Sequence, residues 1–263
     1  MFKRLSFILI PIFFLSIVGF SKRNIYLTAE SALLMDPWSK RIIYSKNPHQ
    51  KLAPASTIKI MTALIALKKS DIKKRVVVSK LAASMEPSKV YLKEGEGYFV
   101  DDLAKAVLLN SSNDASVALA EGIAGSQEKF VKAMNDMTDK LGARNTNFRN
   151  SSGLHAKNQY STAYDLALIV RSAMKNKRFT EIIKIKETEI KELESGRRIK
   201  LRNHNKSLWK EKPYSIYGKT GYTIKAKHCF AGYIEYKKKK LIVVILRSKK
   251  PWLDLDALAE RGR

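Results

Sequence analysis

Cysteine is nearly absent: Cys229 stands alone in 263 residues, so no internal disulfide can form in any compartment. The four histidines are scattered, and no Cys/His cluster has metal-ligand spacing, so neither a structural metal nor a cofactor is expected. Glycine and proline are sparse, at 12 and 7, and there is no Pro/Gly/Ser-rich linker, internal repeat or low-complexity block. That excludes a string of small modules and leaves residues 22–263 as one domain with a sizeable core. Acidic residues are few, 24 against 50 Lys and Arg, for a net charge of +26.

The segment before this domain has the shape of an export signal. Met1 to Arg4 is basic, Leu5 to Phe20 is almost unbroken apolar sequence, and Gly19 and Ser21 are small residues suited to cleavage after Ser21. Residues 1–21 are thus a signal peptide or an uncleaved N-terminal anchor, the apolar run falling just short of a span of about 20 residues. In an exported protein the excess of basic charge favours an anionic envelope polymer or lipid headgroups as neighbour, in the periplasm or cell envelope, over nucleic acid. A lysine-rich composition without a specific ligand is the plainer reading.

Of what is present, Pro54-Ala55-Ser56-Thr57-Ile58-Lys59 and the residues after it carry the most chemistry. Ile60, Ala63, Leu64 and Leu67 fall at the spacing of a helix with one buried stripe, and Pro54, Ser56 and Thr57 are start signals. Ser56 therefore sits at a helix N-terminus, where unpaired N–H groups and the helix dipole favour an oxyanion. Lys59 lies one turn on, on the same face, within reach of the Ser56 hydroxyl. Alone, Ser-x-x-Lys is weak evidence and reads first as an ordinary cap and a surface lysine; partners further along must decide.

Strands are predicted over Tyr26 to Met35 and Arg41 to Tyr44, around an Asp36-Pro37-Trp38-Ser39 turn, with a short β-branched run at Val76 to Val78. Helices are predicted from Asp101-Asp102, from Asp114 to Ile123, from Ser126 to Gly142 and from Thr162, whose pairing with Asp165 resembles a capping box. Past Glu181 the period changes: Ile183, Ile185 and Ile190, then Ile199 and Leu201 beyond Ser195-Gly196, suggest a hairpin. Three more strands read over Ile216–Tyr222, Cys229–Tyr236 and Leu241–Leu246, the last two joined by a Lys237-Lys238-Lys239-Lys240 turn, before a short Leu255–Ala259 helix. Strands at both ends and helices between them predict an α/β (α+β) fold: an antiparallel sheet flanked by helices, with an inserted all-helical subdomain.

Two further motifs join the first: Ser111-Ser112-Asn113 at a break between helices, and Lys219-Thr220-Gly221 in a strand. With Ser56-Thr57-Ile58-Lys59 they stand in the order found in penicillin-recognising serine enzymes. The surrounding residues, among them Leu109-Asn110, Asp114-Ala115, Asn150-Ser151-Ser152-Gly153-Leu154 and Tyr160-Ser161-Thr162, extend the likeness over the whole chain after the signal. The sequence resembles the serine-type D-alanyl-D-alanine carboxypeptidases, low-molecular-mass penicillin-binding proteins with a β-lactamase/DD-peptidase-like fold. The resemblance implies peptidoglycan stem peptides as substrate and β-lactams as inhibitors. It implies a nucleophilic Ser56 and a role for Ser111 in passing a proton between the lysine amine and the leaving D-alanine. It also implies substrate binding by Asn113, Lys219, Thr220 and Gly221, and an oxyanion hole formed by the backbone N–H groups of Ser56 and Tyr222. The residue chemistry agrees, since burial and a second cation such as Lys219 would lower the Lys59 pKa and make its amine a general base.

Three departures stand out. Many relatives carry a second, all-β domain and a C-terminal amphipathic anchor, whereas this sequence stops at Arg263, so any anchor is expected at the N-terminus. Ile216-Tyr217-Gly218 precedes Lys219 where relatives often have Asp-Gly and an aliphatic residue. A basic residue that helps hold the substrate carboxylate would align near Asp254, with Arg247 or Lys249 as replacements. No Glu-x-x-Leu-Asn segment lies between Asn113 and Lys219, which argues against a class A β-lactamase. DD-endopeptidase activity and a non-catalytic penicillin-sensing or peptidoglycan-binding module remain alternatives. His155, His204 and His228 read as ordinary surface or loop histidines, and Cys229 as a small core residue.

Overall fold

The computed structural model describes residues 25–263; the basic and apolar N-terminal segment, with its Gly19-Phe20-Ser21 processing site, lies outside them. The chain enters through β1 (Ser31–Met35) and β2 (Ile42–Lys46), then a 3-10 turn over Ala55–Ile58 that runs directly into α1 (Lys59–Lys69). Next come β3 (Arg75–Val77), α2 (Lys80–Ser84), β4 (Gly97–Phe99), α3 (Val100–Leu109), α4 (Asn113–Ala124), α5 (Gln127–Leu141), α6 (Ala163–Ala173) and α7 (Lys177–Ile182). A hairpin of β5 (Glu187–Lys191) and β6 (Arg198–Arg202) leads to β7 (Ser215–Thr223), β8 (Lys227–Tyr236), β9 (Lys239–Ser248) and α8 (Pro251–Gly262).

Five strands form one antiparallel sheet in the order β2-β1-β9-β8-β7, so strands from both ends of the described chain share its centre, as the sequence predicts. Its alternation sorts the side chains. Leu33, Met35, Ile242, Val244 and Leu246 face a core shared with α1, α3, α4 and α6, while Ala32, Leu34, Val243 and Ile245 face Leu255, Leu258 and Ala259 of α8. A central strand buried on both faces reads as a continuous apolar run, which is why Leu241 to Leu246 shows no polar alternation. The sheet ends at β7, and the Ser56 turn packs beside it.

Several boundaries differ from the sequence reading. Tyr26 to Glu30 is not strand. The backbone N–H and hydroxyl of Thr28 both donate to Asp254 of α8, each at 2.8 Å, and only the Glu30 N–H reaches the Leu246 carbonyl of β9, at 3.1 Å. Ile183 caps α7 instead of opening a hairpin: Asn176 accepts from the Phe179 N–H at 2.9 Å, and Phe179, Ile182 and Ile183 are buried at helical spacing. The four-lysine run is half turn and half strand, since Lys239 and Lys240 pair with Tyr236 and Glu235. Thr162 caps α6 as expected, but Asp165 accepts from Asn145 and Thr146 rather than closing a capping box. The last helix extends from Pro251 to Gly262, with Pro251 in its first turn.

Candidate active site

Ser56 lies in the 3-10 turn and Lys59 opens α1, so the two side chains project from one face a single turn apart. Lys59 Nζ is 3.2 Å from Ser56 Oγ, 2.7 Å from Asn113 Oδ1 and 2.5 Å from the Ser152 carbonyl oxygen. Of these three neighbours only the Ser56 hydroxyl carries a proton. A neutral Lys59 amine would give its two N–H groups to Asn113 and Ser152, leaving its lone pair for the proton of Ser56. Lys59 is fully buried, and that burial, with the nearby charge of Lys219, holds its pKa well below the usual lysine value; Asp114 acts weakly the other way.

The other elements converge on this pair. Ser111 sits at the α3–α4 break, nearly buried, at φ +61°, a conformation that costs a non-glycine residue about 1–3 kcal/mol and is found disproportionately at functional sites. Ala55, directly before Ser56, is also left-handed at φ +48°. Asn113 opens α4, and its Nδ2 donates to the Glu86 carbonyl at 2.9 Å, which fixes Oδ1 toward Lys59. Buried Asp114 accepts from the N–H groups of Val90 and Leu92 and so anchors the loop that carries Pro87 and Ser88 over the site. The Ser151 and Ser152 carbonyls accept from Thr62 and Lys59 of α1, and Gly153 follows at φ +84°. A Cβ on Gly153 would lie 2.2 Å from the Ala55 carbonyl oxygen.

On the opposite wall, β7 brings Lys219, Thr220, Gly221 and Tyr222 alongside. A Cβ on Gly221 would lie 2.9 Å from the Ser56 nitrogen, so only glycine lets the strand and the turn come this close. Lys219 is buried, donates to the Thr220 carbonyl at 2.8 Å, and is pushed down by burial to about 7. Tyr222 is half exposed and stacks on His228 at 4.7 Å. A cleft of about 320 Å³ runs between these walls, lined by Ser56, Ser111, Asn113, Thr220, Gly221 and Tyr222. All eight residues singled out from the sequence thus meet at one place. An extended peptide could lie against β7, the last strand of the sheet, with a carbonyl above Ser56 and a carboxylate toward Lys219 and Thr220.

The sequence reading missed four contributors. Ser152 acts through a backbone carbonyl, and Asp114 through loop N–H groups. His204 and Lys206 line the cleft from the segment after β6, so His204 is a loop histidine but a cleft-facing one. Cys229 matches its reading: it is buried, and burial pushes its thiol up to about 12. Of the two suggested replacements at the carboxylate end, Arg247 pairs with Glu30 at 3.1 Å and Lys249 is exposed, while Asp254, where the relatives' basic residue would align, is bonded to Thr28 and Ser248.

A family model described as D-alanyl-D-alanine carboxypeptidase matches residues 19–250. The chain is 38% identical to D-alanyl-D-alanine carboxypeptidase DacF of Bacillus subtilis over 85% of its own length and 58% of that protein's. It is 37% identical to DacC of Escherichia coli over 84% and 57%, so it spans less than two thirds of either relative. The crystal structure of a D-alanyl-D-alanine carboxypeptidase from Mycobacterium tuberculosis superposes with a TM-score of 0.84 at 28% identity, covering 92% of this chain and 94% of that one. A variant of the Streptomyces K15 DD-transpeptidase gives 0.83 at 26% identity, covering 91% and 99%.

Proposed function

The chain belongs to the D-alanyl-D-alanine carboxypeptidase family, and from that premise we propose that it is a serine DD-peptidase which removes the terminal D-alanine from peptidoglycan stem peptides through an acyl-enzyme. The observation that carries this reading is the Lys59 amine, held by two acceptors that cannot donate and by one hydroxyl that can. In acylation Ser56 Oγ attacks the carbonyl of the penultimate D-alanine and its proton passes to Lys59 Nζ. The oxyanion is met by the N–H groups of Ser56 and Tyr222. As the C–N bond breaks, Ser111 relays a proton from Lys59 to the leaving amine. Asn113 holds the substrate amide, and Lys219 and Thr220 hold the terminal carboxylate. Water then attacks the ester, with Lys59 again taking the proton.

Residues 22–263 act on this reading as one penicillin-binding domain, exported by the N-terminal segment to the periplasm or envelope. There it trims cell-wall peptides, with consequences for cell shape, and its basic surface or N-terminal segment holds it near the membrane. β-Lactams acylate Ser56 because they present a strained amide and a carboxylate at the same spacing.

The decisive assay is D-alanine release from a purified pentapeptide. Release by the wild-type protein and none by Ser56→Ala, with an unchanged circular dichroism spectrum, is the expected result. Covalent penicillin labelling without D-alanine release would instead indicate a sensing module.

A further inference from the structure

His204 is the cleft residue that the assigned chemistry leaves unused. Its backbone N–H donates to the Leu109 carbonyl at 3.1 Å, just before the Ser111 break. The flanking Asn203 and Asn205 are buried and bonded to the Ile185 and Ile216 carbonyls, at 2.9 and 2.8 Å. The imidazole is therefore carried on a segment fixed at both sides, and it lines the cleft with Ser111 and Thr220. The charged groups that face it are cations: Lys219 from β7 and Lys59 from α1, with Lys206 on its own segment. Asp114 of α4 is the nearby carboxylate, and its charge bears on Lys59. His204 is exposed to the cleft, and partial desolvation there, then Lys219, then Lys59, push it down to about 4, so it is neutral at physiological pH.

We propose that His204 is a specificity residue for the free carboxylate of the substrate: the entering carboxylate draws a proton onto the imidazole, and the pair then holds the leaving-group end. This rests on the reading of Lys219 and Thr220 as the carboxylate end. A carboxylate beside an imidazole favours its charged form, so peptide binding at a pH where His204 is otherwise neutral is accompanied by proton uptake there. The histidine adds a second charge beside Lys219 at the carboxylate end, where Arg247 is paired with Glu30.

The test uses Ser56→Ala protein, which can bind peptide but not turn it over, and isothermal calorimetry at pH 5.5 in two buffers of different ionisation enthalpy. With a D-Ala-D-Ala peptide, Ser56→Ala should take up a measurable fraction of a proton more than Ser56→Ala/His204→Gln. With the C-terminally amidated peptide the two should not differ. Equal uptake by both proteins, or equal uptake with acid and amide, overturns the proposal. In the otherwise wild-type protein, His204→Gln should raise KM at pH 5.5 about tenfold, equivalent to 1.4 kcal/mol, with kcat changed by less than about twofold. A fall in kcat with KM unchanged also overturns it. Complete labelling by penicillin at long times checks that the variant is folded. Because the calorimetry needs no turnover, the absence of D-alanine release would defeat the carboxypeptidase reading while leaving the His204 result readable.

Discussion

Lys219 illustrates how much a single buried charge can decide. Truncating the charged partner of a desolvated carboxylate costs roughly 2–5 kcal/mol, and each 1.4 kcal/mol is about tenfold in rate. Lys219→Met should therefore lower kcat/KM on a D-Ala-D-Ala peptide by about 30-fold to 3,000-fold, with little further loss on the amidated peptide. Removing the like charge makes protonated Lys59 easier to keep, so the acidic limb of the pH–rate profile should move to higher pH. Stability should change in the opposite sense to activity. With a folded value near 7 against 10.5 unfolded, Lys219 binds fewer protons in the native state between those limits, so it destabilises the fold at neutral pH and less so as pH rises toward 10.5. Lys219→Met should raise Tm at pH 7 by roughly 5 °C and flatten that rise with pH, as differential scanning calorimetry at pH 7 and 9.5 would reveal. Ser56, Lys59 and Lys219 were legible in the sequence because the proposed chemistry rests on their side chains, which stand at motif spacing. The Ser152 carbonyl was not, since a backbone oxygen has no signature, and His204 was not, because only folding brings it to Lys59 and Lys219.

At the scale of elements, the site is a meeting of turns, and two glycines separate conformation from contact. Gly125, which ends α4 at φ +82°, faces open space, whereas Gly153, at φ +84°, faces the Ala55 carbonyl. Gly125→Ala should cost about 1 kcal/mol, the left-handed penalty alone, with penicillin acylation unchanged. Gly153→Ala adds a collision with the residue before Ser56 and should slow acylation at least tenfold while lowering Tm further; stopped-flow labelling and thermal melts of the two variants make the comparison. The helices were readable wherever a cap and an apolar stripe coincide, as in α5, where Ser126 accepts from the Lys129 N–H and Gly142 ends the helix in a left-handed turn. Helix α7 was hidden because Ile182, Ile183 and Ile185 mimic a strand, although Asn176 marks its start. The β-branched run at Val76–Val78 marked β3, whereas β4 owes its form to pairing with β3, and the short α2 begins at Ser79, which accepts from the Ala82 N–H.

For the whole molecule, the charge of +26 is what the proposed association with the membrane rests on. Fractionation should find it with membranes at low salt. If Gly19-Phe20-Ser21 is cut, 1 M NaCl, which shortens the Debye length to about 3 Å, should release a protein beginning at Lys22; retention of Met1 with resistance to salt would establish the N-terminal anchor instead. Among the described residues no helix is long and apolar enough to cross a membrane. The architecture was legible because its sheet is built from strongly apolar strands at both ends of the sequence, whereas the cleft became visible only when the 3-10 turn, the α3–α4 break and β7 were seen together.

The pairing of β1 with β9 also sets the order of events in the life of the chain. Ser31 meets Leu246, and Met35 meets Ile242, so the first strand waits for almost the entire chain before its central neighbour exists. Pairing of strands so far apart in sequence must wait until β9 has been made. A nascent chain without β9 lacks the strand that joins β1 to β8. On the proposed reading of the N-terminal segment as an export signal, that delay would leave the sheet open until its last strand has crossed the membrane.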